Sequence, residues 1–237
     1  MRAAPVLILL ATGLVISGCA DTDPADPPLR FAEQAGPVPS VPWEGGPVYT
    51  VRVDEAWAER TAERTGIPLT ALHAYAGAAG GSANVAADCG LGWNTLAAIG
   101  LVESDHGRHD GSNVAADGLV TPAIYGIVLD GGNTANIPDT DGGELDGNSE
   151  FDRAIGPMQL IPQTWRSWNI DGSGDNVPDP QNIFDAAFAA ANYLCFMGGD
   201  LTTEDGWRAA VAAYNSSDEY LAAVASAAQT YLDDAGD

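Results

Sequence analysis

The sequence predicts a mainly α domain with few or no strands, interrupted by one long irregular stretch rich in glycine and aspartate. Three observations predict it. Apolar residues recur at helical spacing in seven segments between residues 54 and 232. Start and stop residues bracket these segments, such as Gly66, Pro68, Pro162, Gly198 and Ser217. Period-two alternation is scarce, and only residues 121–129 offer a candidate strand.

Taken in order, residues 1–18 read as a targeting segment. Met1-Arg2 precedes an apolar run from Val6 to Ile16, too short for a stable membrane span, which needs about 20 residues. Ile16-Ser17-Gly18-Cys19 follows and resembles a lipoprotein cleavage site, with Cys19 as the lipidated residue; the alternative is an ordinary secretory signal with Cys19 incidental. Residues 19–50 read as a tether, because 20–47 hold seven of the fifteen prolines. Residues 51–237 then form one domain, long enough for its own core. Its expected helices are 54–65, 68–79, 91–104, 163–168, 183–197, 203–214 and 217–232. Ser217 serves as N-cap of the last, with Asp218 and Glu219 in its first turn. Residues 107–155 have little periodicity, and such a long irregular segment inside a domain is commonly functional.

Composition narrows the function. The chain has 33 acidic against nine basic residues and a formal charge of −24. That balance excludes nucleic acid as a partner, since cationic contacts to phosphate dominate such binding. It equally excludes a polybasic membrane surface. With Cys19 lipidated, Cys89 and Cys195 remain, and in an exported chain the pair reads as a disulfide. It closes a loop of about 100 residues, worth about 4 kcal/mol on chain entropy.

Glu103 stands out chemically. It ends the apolar segment Trp93-Asn94-Thr95-Leu96-Ala97-Ala98-Ile99-Gly100-Leu101-Val102, with Ile99 and Gly100 one turn back. A carboxyl set against an apolar face has a raised pKa and can donate a proton near neutral pH. Gly100 is expected to leave open space beside it. Read alone, the residue is equally a solvent-facing helix end. Two later segments matter: Gly156-Pro157-Met158-Gln159 before a helix, and Ala213-Tyr214-Asn215 ending one. Singly, Gln159 reads as a core-edge amide and Tyr214 as packing.

In order, the Glu103-Ser104 pair, Gly-Pro-Met-Gln and Ala-Tyr-Asn resemble the lysozyme-like lytic murein transglycosylases, nearest the membrane-bound B type. The resemblance runs from about Cys89 to Tyr231, and Ile67-Pro68 with Ala71-Leu72 and Ala74-Tyr75 is similar to the family's opening helices. It implies a lysozyme-like helical domain with a cleft, acting on the glycan strands of peptidoglycan. The bond cut would be the β-1,4 link from N-acetylmuramic acid to N-acetylglucosamine, leaving 1,6-anhydromuramoyl ends. It implies Glu103 as acid and then base. Ser104 would steady Glu103 or the substrate, Met158 and Gln159 would line the cleft, and Tyr214 and Asn215 would orient Glu103 or the sugar. The chain would be a monomer, exported and lipid-anchored through Cys19 to the outer face of a membrane.

Most glycosidases need two carboxylates. Asp105 points elsewhere on the helix, and Asp117, Glu150 and Asp152 remain candidate partners by spacing. No cofactor is required. Asp171, Ser173, Asp175 and Asp179 sit at positions 1, 3, 5 and 9 of an EF-hand-like loop and are the candidate calcium ligands. Position 6 is Asn176 and position 12 is Asn182, both departures from that pattern. Asp139, Asp141 and Glu150 form a second candidate. Glu103, His106 and His109 lack the spacing of a zinc peptidase. The rival readings are a lysozyme-type hydrolase and a non-catalytic glycan-binding lipoprotein.

Overall fold

A computed structural model describes residues 31–41, 51–132 and 134–236. The expected signal segment, Cys19 and the remainder of the expected tether lie outside the described residues. Within them the chain is mainly α. Seven helices run α1 Glu55–Thr65, α2 Leu69–Val85, α3 Trp93–Ser104, α4 Pro162–Trp168, α5 Ile183–Gly198, α6 Glu204–Tyr214 and α7 Asp218–Ala235.

The caps explain most boundaries. Asp54 accepts from the Trp57 amide ahead of α1, and Gly66 closes that helix in the left-handed region at φ 71°. Asn182, Thr203 and Ser217 likewise accept from the amides of Phe184, Gly206 and Tyr220. Pro162 occupies the first turn of α4, where its missing N–H costs nothing. The largest departure from expectation is α2, which runs to Val85 instead of ending near Ala79. Gly80 does not break it because it lies against the Val51 side chain, where a Cβ would be crowded at 3.2 Å. Tertiary contact overrides the poor helix propensity of glycine.

Strands are short and all paired antiparallel: β1 Ser40–Val41 with β2 Arg52–Val53, β3 Asn113–Val114 with β4 Val120–Thr121, and β5 Tyr125–Val128 with β6 Arg153–Ile155. The last pair contains a bulge between Tyr125 and Val128. The candidate strand at 121–129 is thus split between β4 and β5.

The core is a helical stack. α2 packs on α5, α3 on α7, and α5 on α6. Tyr75, Leu72, Leu96, Ile99, Leu194 and Trp207 are fully buried there. At about 25 cal/mol per Å² of apolar area, each such side chain contributes roughly 1.5–3 kcal/mol. Cys89 and Cys195 form the expected disulfide, with Cα atoms 5.3 Å apart and a sequence separation of 106. It joins the segment before α3 to the end of α5.

Residues 31–41, read from sequence as tether, lie against this stack. Ala32 is buried, and the Gln34 side chain accepts from Gly92 N and Thr95 Oγ1. Asn94 closes the arrangement by donating to Glu33 O and accepting from Ala35 N.

Among its described residues the stretch 107–155 has no helix beyond a short turn at His109–Gly111. Carboxylates hold it by accepting backbone amides. Asp139 takes those of Asp141, Gly142 and Gly143, Asp141 those of Gly143 and Leu145, and Asp146 those of Asn148 and Arg153. This is why so acidic and apolar-poor a segment is ordered: its charges satisfy its own turns.

Candidate active site

Glu103 lies in the last turn of α3, half-buried. Tyr220, the third residue of α7, donates from its hydroxyl to Glu103 Oε1 at 2.6 Å. Burial raises the Glu103 pKa to about 7, against a smaller opposing effect of that hydrogen bond, which favours the carboxylate. The expected desolvated carboxyl is therefore present. The expected open space at Gly100 is not: the ring and hydroxyl of Tyr75 fill it, and any Cβ at Gly100 would collide with them. Glycine here admits a core tyrosine beneath the helix instead of leaving room for substrate.

Directly after Glu103 the chain reverses. Asp105, His106 and Gly107 all take positive φ, at 51°, 58° and 80°. Two consecutive non-glycine residues in this region are unfavourable and need compensation from their surroundings. Ser104 supplies part of it. Its hydroxyl donates to Pro157 O at 2.6 Å and accepts from Gly107 N at 2.8 Å. Ser104 is only 2 % exposed, so it anchors the turn that carries Gln159 instead of facing a ligand. His106 supplies the rest. It is 1 % exposed, with Nδ1 3.2 Å from Tyr75 Oη and Nε2 2.9 Å from Tyr231 Oη. Burial lowers its pKa to about 4, so it is neutral at ordinary pH.

The 156–159 turn packs against this end of α3. Met158 is fully buried, so its side chain serves the core; a cleft-lining role for it is not what the geometry shows. Its carbonyl accepts from the Tyr214 hydroxyl at 2.7 Å. Tyr214 lies within electrostatic reach of Glu103, and burial holds its own pKa well above the usual tyrosine value. It braces the turn, while the direct bond to Glu103 comes from Tyr220. Gln159 is half-buried at φ 47°, and its amide donates to Gly156 O at 2.9 Å. Asn215 is exposed, and its side chain accepts from Ser217 N at the entry to α7. Glu103, Gln159 and Tyr214 are thus brought to one region, with Ser104 and Met158 beneath them and Asn215 at the edge.

Of the second-carboxylate candidates, Asp152 is fully buried and accepts from Thr140 N and Oγ1. Asp117 accepts from Leu119 N, and Glu150 is exposed. Burial raises the Glu103 pKa against the opposing Tyr220 hydrogen bond, with no second carboxylate among its causes.

The candidate calcium loop does not gather its carboxylates. Asp171 accepts from Ser173 Oγ and from the amides of Gly174, Asp175 and Asn176. Asp179 and Ser173 donate their amides to the buried Asp185. The group that does converge, among the described residues, is Asp139, Asp141 and Asp152, with ligand atoms within 4.8 Å of one another. It shares two members with the second candidate, and Asp152 takes the place of Glu150. An all-oxygen donor set of this kind suits a hard cation. Two cavities, of about 530 and 500 Å³, lie along β2, α2 and the 34–40 segment, and Glu103 lines neither.

Tyr220, Tyr75 and Tyr231 are the residues that sequence reasoning missed. Tyr220 had a signal: it is the first large residue after the Ser217 cap, and so faces the core at a helix start.

No protein-family profile matches the chain, and no curated protein matches it. Among solved structures, it is similar to the Escherichia coli lytic transglycosylase Slt35 in complex with bulgecin A. That likeness has a TM-score of 0.44 and 14 % identity, covering 74 % of this chain and 77 % of the other. It is similar to Slt35 in complex with calcium at a TM-score of 0.44 and 13 % identity, over 74 % and 78 %.

Proposed function

We propose that the protein is a peptidoglycan lytic transglycosylase that uses Glu103 as its single acid and base. The observation that carries the reading is the carboxyl itself: a glutamic acid at the end of an apolar helix, desolvated to a pKa of about 7 and held by one tyrosine hydroxyl. A pKa in that range populates both protonation states near neutral pH, as a group that must both give and take a proton requires. The ordered Glu-Ser, Gly-Pro-Met-Gln and Ala-Tyr-Asn motifs add the substrate class.

The reaction then balances with one carboxyl. Protonated Glu103 gives its proton to the glycosidic oxygen as the bond from C1 of N-acetylmuramic acid breaks. Positive charge develops at C1, and the bond electrons leave with the departing sugar. The Glu103 carboxylate next takes the proton of the C6 hydroxyl, whose oxygen bonds to C1 and closes the 1,6-anhydro ring. The nucleophile is already tethered to the reacting sugar, so no second base and no water are consumed. Tyr220 keeps the carboxylate from becoming too basic, while Tyr214 and Ser104 fix the turn that presents Gln159.

Asp139, Asp141 and Asp152 are the place where calcium would bind. It would stiffen the 137–152 loop and take no part in the proton transfers. The lipid anchor at Cys19 belongs to the same proposal, and labelled fatty acid incorporated by the full chain but not by Cys19→Ala tests it.

Mass spectrometry of digested peptidoglycan tests the activity. Anhydromuramoyl ends are expected. Wholly reducing ends would replace the reading with a hydrolase, and binding without any cleavage would replace it with a glycan-holding protein.

A further inference from the structure

Arg153 lies on β6, three residues before Gly156, and is half-buried. Its guanidinium is fixed in place from two sides. Nε donates to Gly126 O at 2.8 Å, and the guanidinium carbon lies 5.2 Å from the centre of the Tyr125 ring. Its backbone amide donates to Asp146 Oδ2, so that carboxylate is spent on the main chain. Among the described residues no ion pair engages the guanidinium. Arg108 and Arg208 are paired with Asp105 and Glu204, whereas Arg52, Arg60, Arg64 and Arg166 share with Arg153 the lack of an ion pair among the described residues, so what sets Arg153 apart is its place.

Two points make this arrangement more than a surface arginine. The first is the charge background. In a chain of formal charge −24, an anionic polymer is repelled overall, so an uncompensated cation decides where its negative groups can settle. The second is position. Gly126, which holds Arg153 by its carbonyl, packs so closely on Gln159 that a Cβ there would lie 2.8 Å from Gln159 Oε1. Arg153 therefore neighbours the turn that flanks Glu103, with Tyr125 41 % exposed beside it. A guanidinium with its Nε anchored and its terminal nitrogens without a hydrogen bond among the described residues presents donors matched to a carboxylate.

We propose that Arg153 is a recognition residue for a carboxylate carried by the glycan strand. The inference rests on the function proposed above for the substrate. The carboxylate has two sources in that polymer: the lactyl group of N-acetylmuramic acid once its peptide is removed, or the acidic residues of the attached peptide. The same guanidinium serves either.

The test uses the full chain in a Glu103→Gln background, so that binding is read without cleavage. Arg153→Gln and Arg153→Lys are each compared with the parent on insoluble peptidoglycan. Both lose the Nε bond to Gly126, and only Lys keeps the charge. Arg153→Gln is expected to bind about threefold to tenfold more weakly than Arg153→Lys on native peptidoglycan. The gap should shrink with added salt and vanish on peptidoglycan whose carboxyls have been amidated with carbodiimide and ammonia. A gap seen on native material and lost on amidase-stripped strands assigns the peptide carboxylates, and one that appears or grows on the stripped strands assigns the lactyl carboxylate. Equal binding by the two variants on both native and amidase-stripped material, or an equal gap on amidated material, overturns the proposal. Digestion by the parent enzyme with Glu103 restored is run in parallel. No cleavage there defeats the transglycosylase reading while the charge comparison still decides Arg153.

Discussion

Glu103 and His106 lie three residues apart at the same end of α3, and each meets a tyrosine of α7. Tyr220 bonds Glu103, and Tyr231 bonds His106. Burial pushes both toward the neutral form, raising the Glu103 pKa to about 7 and lowering that of His106 to about 4. The outcomes differ because the surroundings differ. His106 is sealed, with a hydroxyl at each ring nitrogen. Tyr75 is fully buried and its hydroxyl has no other partner among the described residues. The neutral ring accepts from one of these tyrosines and donates to the other. Glu103 has a hydrogen bond on one oxygen and is only half-buried, so its other oxygen can meet a ligand. The same desolvation yields a strut in one place and a titratable acid in the other. What separates them is how many polar atoms are already answered.

The largest expected effect breaks the acid. Glu103→Gln should lower lytic activity by about 10²–10⁴-fold with an unchanged circular dichroism spectrum and a melting temperature no lower than the parent's. Loss of fold in that variant would make Glu103 structural, like its neighbour. Breaking the strut should do the reverse. His106→Phe leaves two tyrosine hydroxyls unpaired and should cost about 2–4 kcal/mol in denaturant unfolding. Tyr231→Phe, which removes one bond at the less buried end, should cost about 1 kcal/mol.

Stability against pH sharpens the contrast, because the two groups carry opposite signs. Glu103 has a folded pKa above its unfolded value, so its contribution is complete below about 4.5 and is lost as pH rises through about 7. His106 has a folded pKa below its unfolded value. Its contribution is complete above about 6.5 and is lost as pH falls through about 4. Unfolding free energies from pH 4 to 8 should show Glu103→Gln gaining on the parent toward alkaline pH. His106→Phe should gain on the parent toward acid pH. Slopes of one sign in both variants would contradict the assignments.

The smallest effect is a shift in profile. Tyr220→Phe removes the hydrogen bond that favours the carboxylate, so the pKa of Glu103 should rise further. The alkaline limb of the pH–rate curve should move to higher pH. A limb that stays put would mean that Tyr220 does not tune the acid.

Most helices were legible because their caps and apolar periods are local signals: Asp54, Gly66, Asn182 and Ser217 act within a turn of where they stand. The length of α2 was not legible, since Gly80 is tolerated only by virtue of Val51 packing on it. In the site, Glu103 was visible as a lone carboxylate on an apolar stretch. The burial of Ser104 and Met158 was not, because it depends on a turn more than fifty residues away closing over the end of α3. The acidic loops show the same limit. Spacing suggested Asp171 to Asp179, but three-dimensional closure gathers Asp152 with Asp139 and Asp141.

The most direct test is a titration of the Glu103 side-chain carboxyl by ¹³C NMR on glutamate-labelled protein, assigned by difference against Glu103→Gln. A midpoint near pH 7, moving upward in Tyr220→Phe, is the predicted result. A midpoint between 4 and 5 would contradict the account, for it would leave Glu103 an ordinary carboxylate with no proton to give.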